Sequence, residues 1–169
     1  MSAPAAKIDD MKRTLTALSL LLLFCLAPET GAQADNCAGA RVNFLSYDQA
    51  LAAGRAENLP ILLFFRRDGC RYCEMLYKTG FEREDIACYI NHRFVAAIID
   101  TGRQPDLKAK YRVPGEPTVW FLTPEGKGID SMIGYVPPDR FALILHFIGD
   151  GAYQRMSFEQ YEGRNGKGN

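Results

Sequence analysis

The sequence predicts an α/β domain, a central mixed β-sheet with helices on both faces. Three observations carry that expectation. Short continuous apolar runs at residues 61–65 and 94–99 alternate with segments whose apolar residues recur at helical spacing, as βα units with doubly buried parallel strands require. Two further strands flank Thr123-Pro124-Glu125-Gly126-Lys127, where an early proline and a late glycine suit a hairpin turn, and an amphipathic helix follows them. Directly after the first core strand, Cys70-Arg71-Tyr72-Cys73 sets two cysteines at a strand–helix junction.

The elements follow in order along the chain. Ser46 can cap a helix on which Tyr47, Ala50, Leu51 and Gly54 share one face. Pro60 opens the strand at 61–65. A second helix starts at Cys70 and is expected to end at Gly80, and 82–91 reads as a third with Ile86, Tyr89 and Ile90 inward. The strand at 94–99 stops at Asp100, and 105–111 forms a short helix leading to Val113-Pro114-Gly115-Glu116-Pro117. Thr118–Leu122 and residues 129–133 are the antiparallel hairpin strands. Residues 137–148 close the fold, with Phe141, Ile144, Leu145 and Ile148 on one helical face. Ser157-Phe158-Glu159-Gln160 fits a capping box for one extra turn, and the glycine- and asparagine-rich end, 163–169, is expected to be disordered. The domain so read covers 46–149, between an N-terminal segment at 35–45 and a C-terminal extension at 150–169.

The first 34 residues stand apart. Lys12-Arg13 precedes an apolar stretch at 15–27, then Pro28 and Ala32-Gln33-Ala34. A basic start, an apolar middle and an A-x-A site describe a secretory signal peptide, cleaved near Ala34. Met11 heads that pattern, so 1–10 reads as an extension or a misplaced start. A retained anchor would need roughly 20 apolar residues, more than this run supplies. Lipidation at Cys25 is disfavoured by the bulk of Phe24 before it. The expected location is periplasmic or secreted.

Length and 47% hydrophobic residues suit one packed domain. Lys plus Arg equals Asp plus Glu, for a formal net charge of zero, which argues against nucleic acid as the partner. Cleavage leaves Cys37, Cys70, Cys73 and Cys88, and export permits disulfides. Three pairings exist and sequence does not choose among them. Cys37 and Cys88 can form a structural bridge; alternatively Cys88 is a small buried hydrophobe and Cys37 a loose thiol.

Two cysteines separated by two residues can close a small disulfide ring, so Cys70 and Cys73 read as a thiol–disulfide redox site. At a helix N-terminus, unpaired N–H groups and the helix dipole stabilise a thiolate. Arg66, Arg67 and Arg71 place positive charge nearby, unless they extend into water. Zinc would need four ligands, and no second C-x-x-C or paired histidines accompany this one; His92 and His146 are isolated. The reading therefore calls for no metal and no cofactor.

The order of elements, the C-x-x-C after the first core strand, Gly115-Glu116-Pro117-Thr118 before the hairpin, and Gly134-Tyr135 before the last helix resemble the thioredoxin superfamily. The similarity spans about 59–147. Within the superfamily the chain is similar to exported bacterial thioredoxin-related proteins, including the thioredoxin of sulfur-oxidation systems. It also resembles the C-terminal domain of the membrane thiol–disulfide interchange reductase. The resemblance implies a thioredoxin-like fold, with Cys70 as nucleophile and Cys73 as resolving thiol. It puts Pro117 at the superfamily's cis-proline, beside the cysteines, where the preceding residue offers backbone hydrogen bonds to substrate.

Two departures stand out. The position six before the first cysteine, usually a buried aspartate, is Phe64. Glu116 stands where an uncharged residue is usual. Its carboxylate would oppose a Cys70 thiolate if it faced the sulfurs; it could also replace the missing aspartate in moving a proton, or point into solvent. The Arg71-Tyr72 pair helps set the reduction potential, and Tyr72 is either a substrate contact or a rim aromatic. The expected function is reduction of protein or small-molecule disulfides, with a membrane thiol–disulfide reductant as electron donor. The alternatives are disulfide donation and a non-catalytic binding module.

Overall fold

The computed structural model describes residues 37–166; the leader expected over 1–34 and residues 167–169 lie outside them. The elements are β1 (Phe44–Leu45), α1 (Tyr47–Glu57), β2 (Ile61–Arg66), α2 (Arg71–Leu76) continued by a π-helical turn (Tyr77–Phe81), and α3 (Glu84–Arg93). Then come β3 (Val95–Asp100), α4 (Pro105–Lys110), β4 (Thr118–Leu122), β5 (Gly128–Ile133), α5 (Pro138–Gly149), a 3₁₀ turn (Ala152–Gln154) and α6 (Phe158–Asn165). The sheet order is β1-β3-β2-β4-β5. β1 and β2 run parallel to β3, whereas β4 is antiparallel to β2 and β5 to β4.

The period of two along β2 divides the core. Leu62 and Phe64 join Ala96, Val119 and Phe121 beneath Leu76 of α2, Ile86 and Ile90 of α3, and Phe141 and Leu145 of α5. Ile61, Leu63 and Phe65 face the other way, with Ala97, Ile99 and Leu122 against Ala50 of α1, and Leu107 of α4 packs at its edge. All five residues from Ile61 to Phe65 are fully buried. Each large side chain there contributes about 1.5–3 kcal/mol, so β2 is a rigid support for whatever follows its C-terminal end. Ser46 caps α1 with a reciprocal capping box through Gln49.

Three local expectations are corrected. Gly80 does not end the second helix; it lies in the π-helical turn, where an added Cβ would meet the Phe141 ring at 3.0 Å. Close approach to α5, not termination, explains the glycine. The third helix starts and ends two residues later than expected, at Glu84 and Arg93. Within the N-terminal segment, Phe44 and Leu45 form an edge strand that pairs with Ala96 and Ala97. Residues 163–165 are helical rather than disordered. Ser157 supplies the expected cap, and Phe158 and Tyr161 pack on Phe147 with ring centroids 5.4 and 5.3 Å away, so tertiary burial extends the helix beyond its weak local propensity.

Cys37 and Cys88 are bridged, with Cα atoms 5.4 Å apart. The bridge ties the segment before β1 to α3 across 51 residues. Closing such a loop in the unfolded chain is worth about 2–4 kcal/mol. The Cys37→Ser/Cys88→Ser variant is therefore expected to lose about that much in urea unfolding, with the Cys70–Cys73 pair intact. An unchanged midpoint would show that the bridge does not restrict the unfolded chain.

Candidate functional site

The site forms where β2 ends. Gly69, at φ +73°, turns the chain, and the Cys70 N–H donates to the Arg67 carbonyl at 3.2 Å. That turn delivers Cys70 as the N-cap of α2, where its Sγ accepts from the Cys73 N–H at 3.2 Å. The two cysteines are joined in a disulfide. Cys70 is half-buried whereas Cys73 is 1% exposed. A substrate can thus approach one sulfur and not the other.

Facing Cys70 is the loop before β4. The Glu116–Pro117 peptide is cis, and the Glu116 carbonyl oxygen lies 3.6 Å from Cys70 Sγ. Pro117 is buried, and its carbonyl accepts from the Gly134 N–H at 2.8 Å, so the end of β5 holds the loop in place.

The Glu116 side chain departs from two of the arrangements expected of it. It neither points into solvent nor stands as an unpaired charge beside the sulfurs. Its side chain is 7% exposed, and Oε1 accepts from Thr101 Oγ1 at 2.6 Å and from Lys108 Nζ at 2.8 Å. Burial pushes this carboxyl upward, but the hydrogen bonds from Lys108 and Thr101, with the charges of Lys108 and Arg67, outweigh burial and hold it below its ordinary value. Thr101 also donates its N–H to the Arg66 carbonyl at 2.9 Å. The end of β3 therefore fastens the cysteine-bearing strand to the proline loop. Sequence reasoning missed Thr101 and Lys108. The available signal was a lysine on α4, the helix that leads into this loop, eight residues before Glu116.

Phe64 is fully buried, with its ring 4.7 Å from that of Phe81, so no carboxylate lies there. Cys73 instead borders a cavity of about 90 Å³ lined by Arg66, Glu74, Tyr77 and Lys78. Arg71 and Tyr72 are exposed, Tyr72 by 58%. The histidines lie elsewhere: His92 Nδ1 is 2.8 Å from the Cys88 carbonyl oxygen, and His146 Nδ1 is 3.3 Å from Asp150 Oδ2. Among the described residues, no three His, Cys, Asp or Glu side chains gather as a metal site, and no helix is long and apolar enough to cross a membrane. A cleft of about 460 Å³ between α5 and α6 contains neither active cysteine. A reactive disulfide at a helix end works from the surface and needs no enclosing cleft.

A C-x-x-C disulfide at the exit of the central strand, faced by a cis-proline loop on a mixed sheet covered on both sides, defines a thioredoxin-fold protein. The chain belongs to the thioredoxin-like domain family, which it matches over residues 47–149. It is 28% identical over 136 residues to the disulfide bond reductase DsbH of Chlamydia pneumoniae, covering 70% of this chain and 81% of that one. It is 29% identical over 83 residues to the thiol:disulfide interchange protein DsbD 2 of Pseudomonas aeruginosa, covering 47% of this chain and 14% of that one. The chain spans only 12–14% of the length of the longer curated relatives it matches. Among solved structures, a thioredoxin-fold protein from Helicobacter pylori superposes with a TM-score of 0.59 at 26% identity, over 64% of this chain and 84% of that one.

Proposed function

We propose that this chain is an exported thiol–disulfide oxidoreductase that reduces protein or small-molecule disulfides through Cys70 and Cys73. The observation that carries the reading is the unequal access of the two sulfurs, half-buried Cys70 over fully buried Cys73. The Cys70 thiolate attacks one substrate sulfur, and the other substrate sulfur leaves as a thiolate. Cys73, having lost its proton, then attacks Cys70 Sγ and releases the second substrate thiol. Two electrons pass to the substrate, and the Cys70–Cys73 disulfide remains. A membrane thiol–disulfide reductant, by chemistry a second dithiol, would return the pair to the reduced state.

Direction is the finer claim. It is supported by the length-matched relative named a disulfide bond reductase. The test has two parts. Protein reduced with dithiothreitol and freed of it should consume one equivalent of a model disulfide. Equilibration with glutathione should then place the couple near about −270 mV, as in reducing members of the fold, rather than near about −120 mV, as in a strong dithiol oxidant. A value at the oxidising end would reverse the direction. Absence of exchange with both cysteines intact would favour a binding module.

A further inference from the structure

We infer that the disulfide this site reduces carries carboxylates next to its sulfurs, and that Arg67 and Arg71 recognise them. The inference rests on the oxidoreductase reading and names its substrate class. Three acids around the disulfide, Asp68, Asp100 and Glu116, are each paired with a cation. Asp68 pairs with Arg66 at 3.0 Å, and Asp100 with Arg103 at 3.8 Å. Glu116 is buried under Lys108 and Thr101. Glu74 is exposed and lines one cavity with Arg66 and Lys78, two cations against its single charge.

Arg71 has no acidic partner among these, and Arg67 has only the field of Glu116, whose carboxylate Lys108 already pairs. The two arginines flank Cys70 in sequence, both are exposed, and neither guanidinium makes an ion pair or hydrogen bond among the described residues. A chain with no formal net charge thus carries a local excess of positive charge at its reactive sulfur. Beside them Tyr72, 58% exposed, gives an approaching substrate an apolar surface. Fields of this kind act on encounter: they raise the association rate of an oppositely charged partner and lose strength as salt is added. Guanidinium also matches carboxylate geometrically, with two parallel N–H donors. The carboxylates could belong to an acidic peptide around a cystine or to a small disulfide acid; the chemistry recognised is the same.

The test measures rate constants for the reduced protein against two matched series. One comprises dithiodiglycolate, bis(2-hydroxyethyl) disulfide and cystamine. The other is a single disulfide peptide flanked by Asp, Asn or Lys. Dividing each rate by that of dithiothreitol with the same compound removes intrinsic disulfide reactivity. At low ionic strength the anionic member is expected to exceed the neutral one by about fivefold and the cationic one by more. The ratio should shrink toward one at about 0.5 M salt, where the Debye length is only a few ångströms. It should shrink likewise in the Arg67→Gln/Arg71→Gln variant. Preference confined to the peptide series would assign a protein substrate, and preference confined to the small series a disulfide acid. Equal normalised rates, or a cationic preference, would overturn the inference while leaving the oxidoreductase reading intact. No exchange with any compound would instead defeat that reading.

Discussion

Replacing Cys73 with Ala is expected to turn the protein into a covalent trap, whereas replacing Cys70 with Ala should remove both turnover and trapping. The accessible sulfur makes the first bond, so attack on a substrate disulfide survives loss of the buried one. Resolution does not survive. Cys73 sits within one helical turn of Cys70, its N–H already bonded to Cys70 Sγ at 3.2 Å. Well-oriented intramolecular groups act at effective molarities of about 10⁵ M or more. An external thiol at about 1 mM falls short of that by many orders of magnitude, so turnover should drop at least about a thousandfold. Non-reducing gels with a protein disulfide substrate would show a persistent mixed-disulfide band for Cys73→Ala and none for Cys70→Ala. Equal trapping by the two variants would mean that the order of attack is wrong.

Features written in contiguous residues were legible from sequence. The unbroken apolar run of β2 required burial on both faces, and its register between β3 and β4 places Leu62 and Phe64 in one cluster and Leu63 and Phe65 in the other. The turn chemistry before Gly126 specified the hairpin, and the cysteine spacing located the site at the strand's exit. Features set by distant partners were not legible. β1 is two residues long, too short for an alternating pattern, and exists through its pairing with β3. Gly80 carries a terminator's local signal but answers to Phe141, 61 positions later in the chain. Four cysteines allowed three pairings, and only the placement of α3 beside the N-terminal segment selects Cys37 with Cys88. Glu116 is the clearest case, because a lone acid before a proline says nothing of a lysine and a threonine that reach it from two other elements.

That cluster leads to the second large effect: removing Lys108 or Glu116 should move the Cys70–Cys73 potential in opposite directions. Glu116 reaches Cys70 through its backbone, while its side chain holds a balanced charge pair with Lys108. Glu116→Gln leaves the ammonium without its counter-charge. A nearby cation favours the Cys70 thiolate, lowers that thiol's pKa and makes the couple more oxidising. Lys108→Met leaves the carboxylate charged and opposed only by the Thr101 hydroxyl and the field of Arg67, so thiolate is disfavoured and the couple becomes more reducing. About half a pKa unit on one thiol is about 0.7 kcal/mol, or about 15 mV for two electrons. The Glu116→Gln/Lys108→Met variant should return toward the parent potential. A purely mechanical role predicts otherwise, because loosening the proline loop would shift both single variants the same way and the double variant at least as far. Stability adds a second readout. Since Lys108 is 37% exposed, water screens the pair and its loss should cost only about 1 kcal/mol. Glu116 is held below its ordinary value of 4.5, so its contribution is complete above that pH and disappears as pH falls through the lower folded-state value. The Gln variant should lack that acid-side slope. Thiolate titration in the Cys73→Ala background, glutathione equilibration and urea unfolding between pH 3 and 7 would decide the matter, and potential shifts of the same sign in both single variants would reduce the pair to a structural clamp.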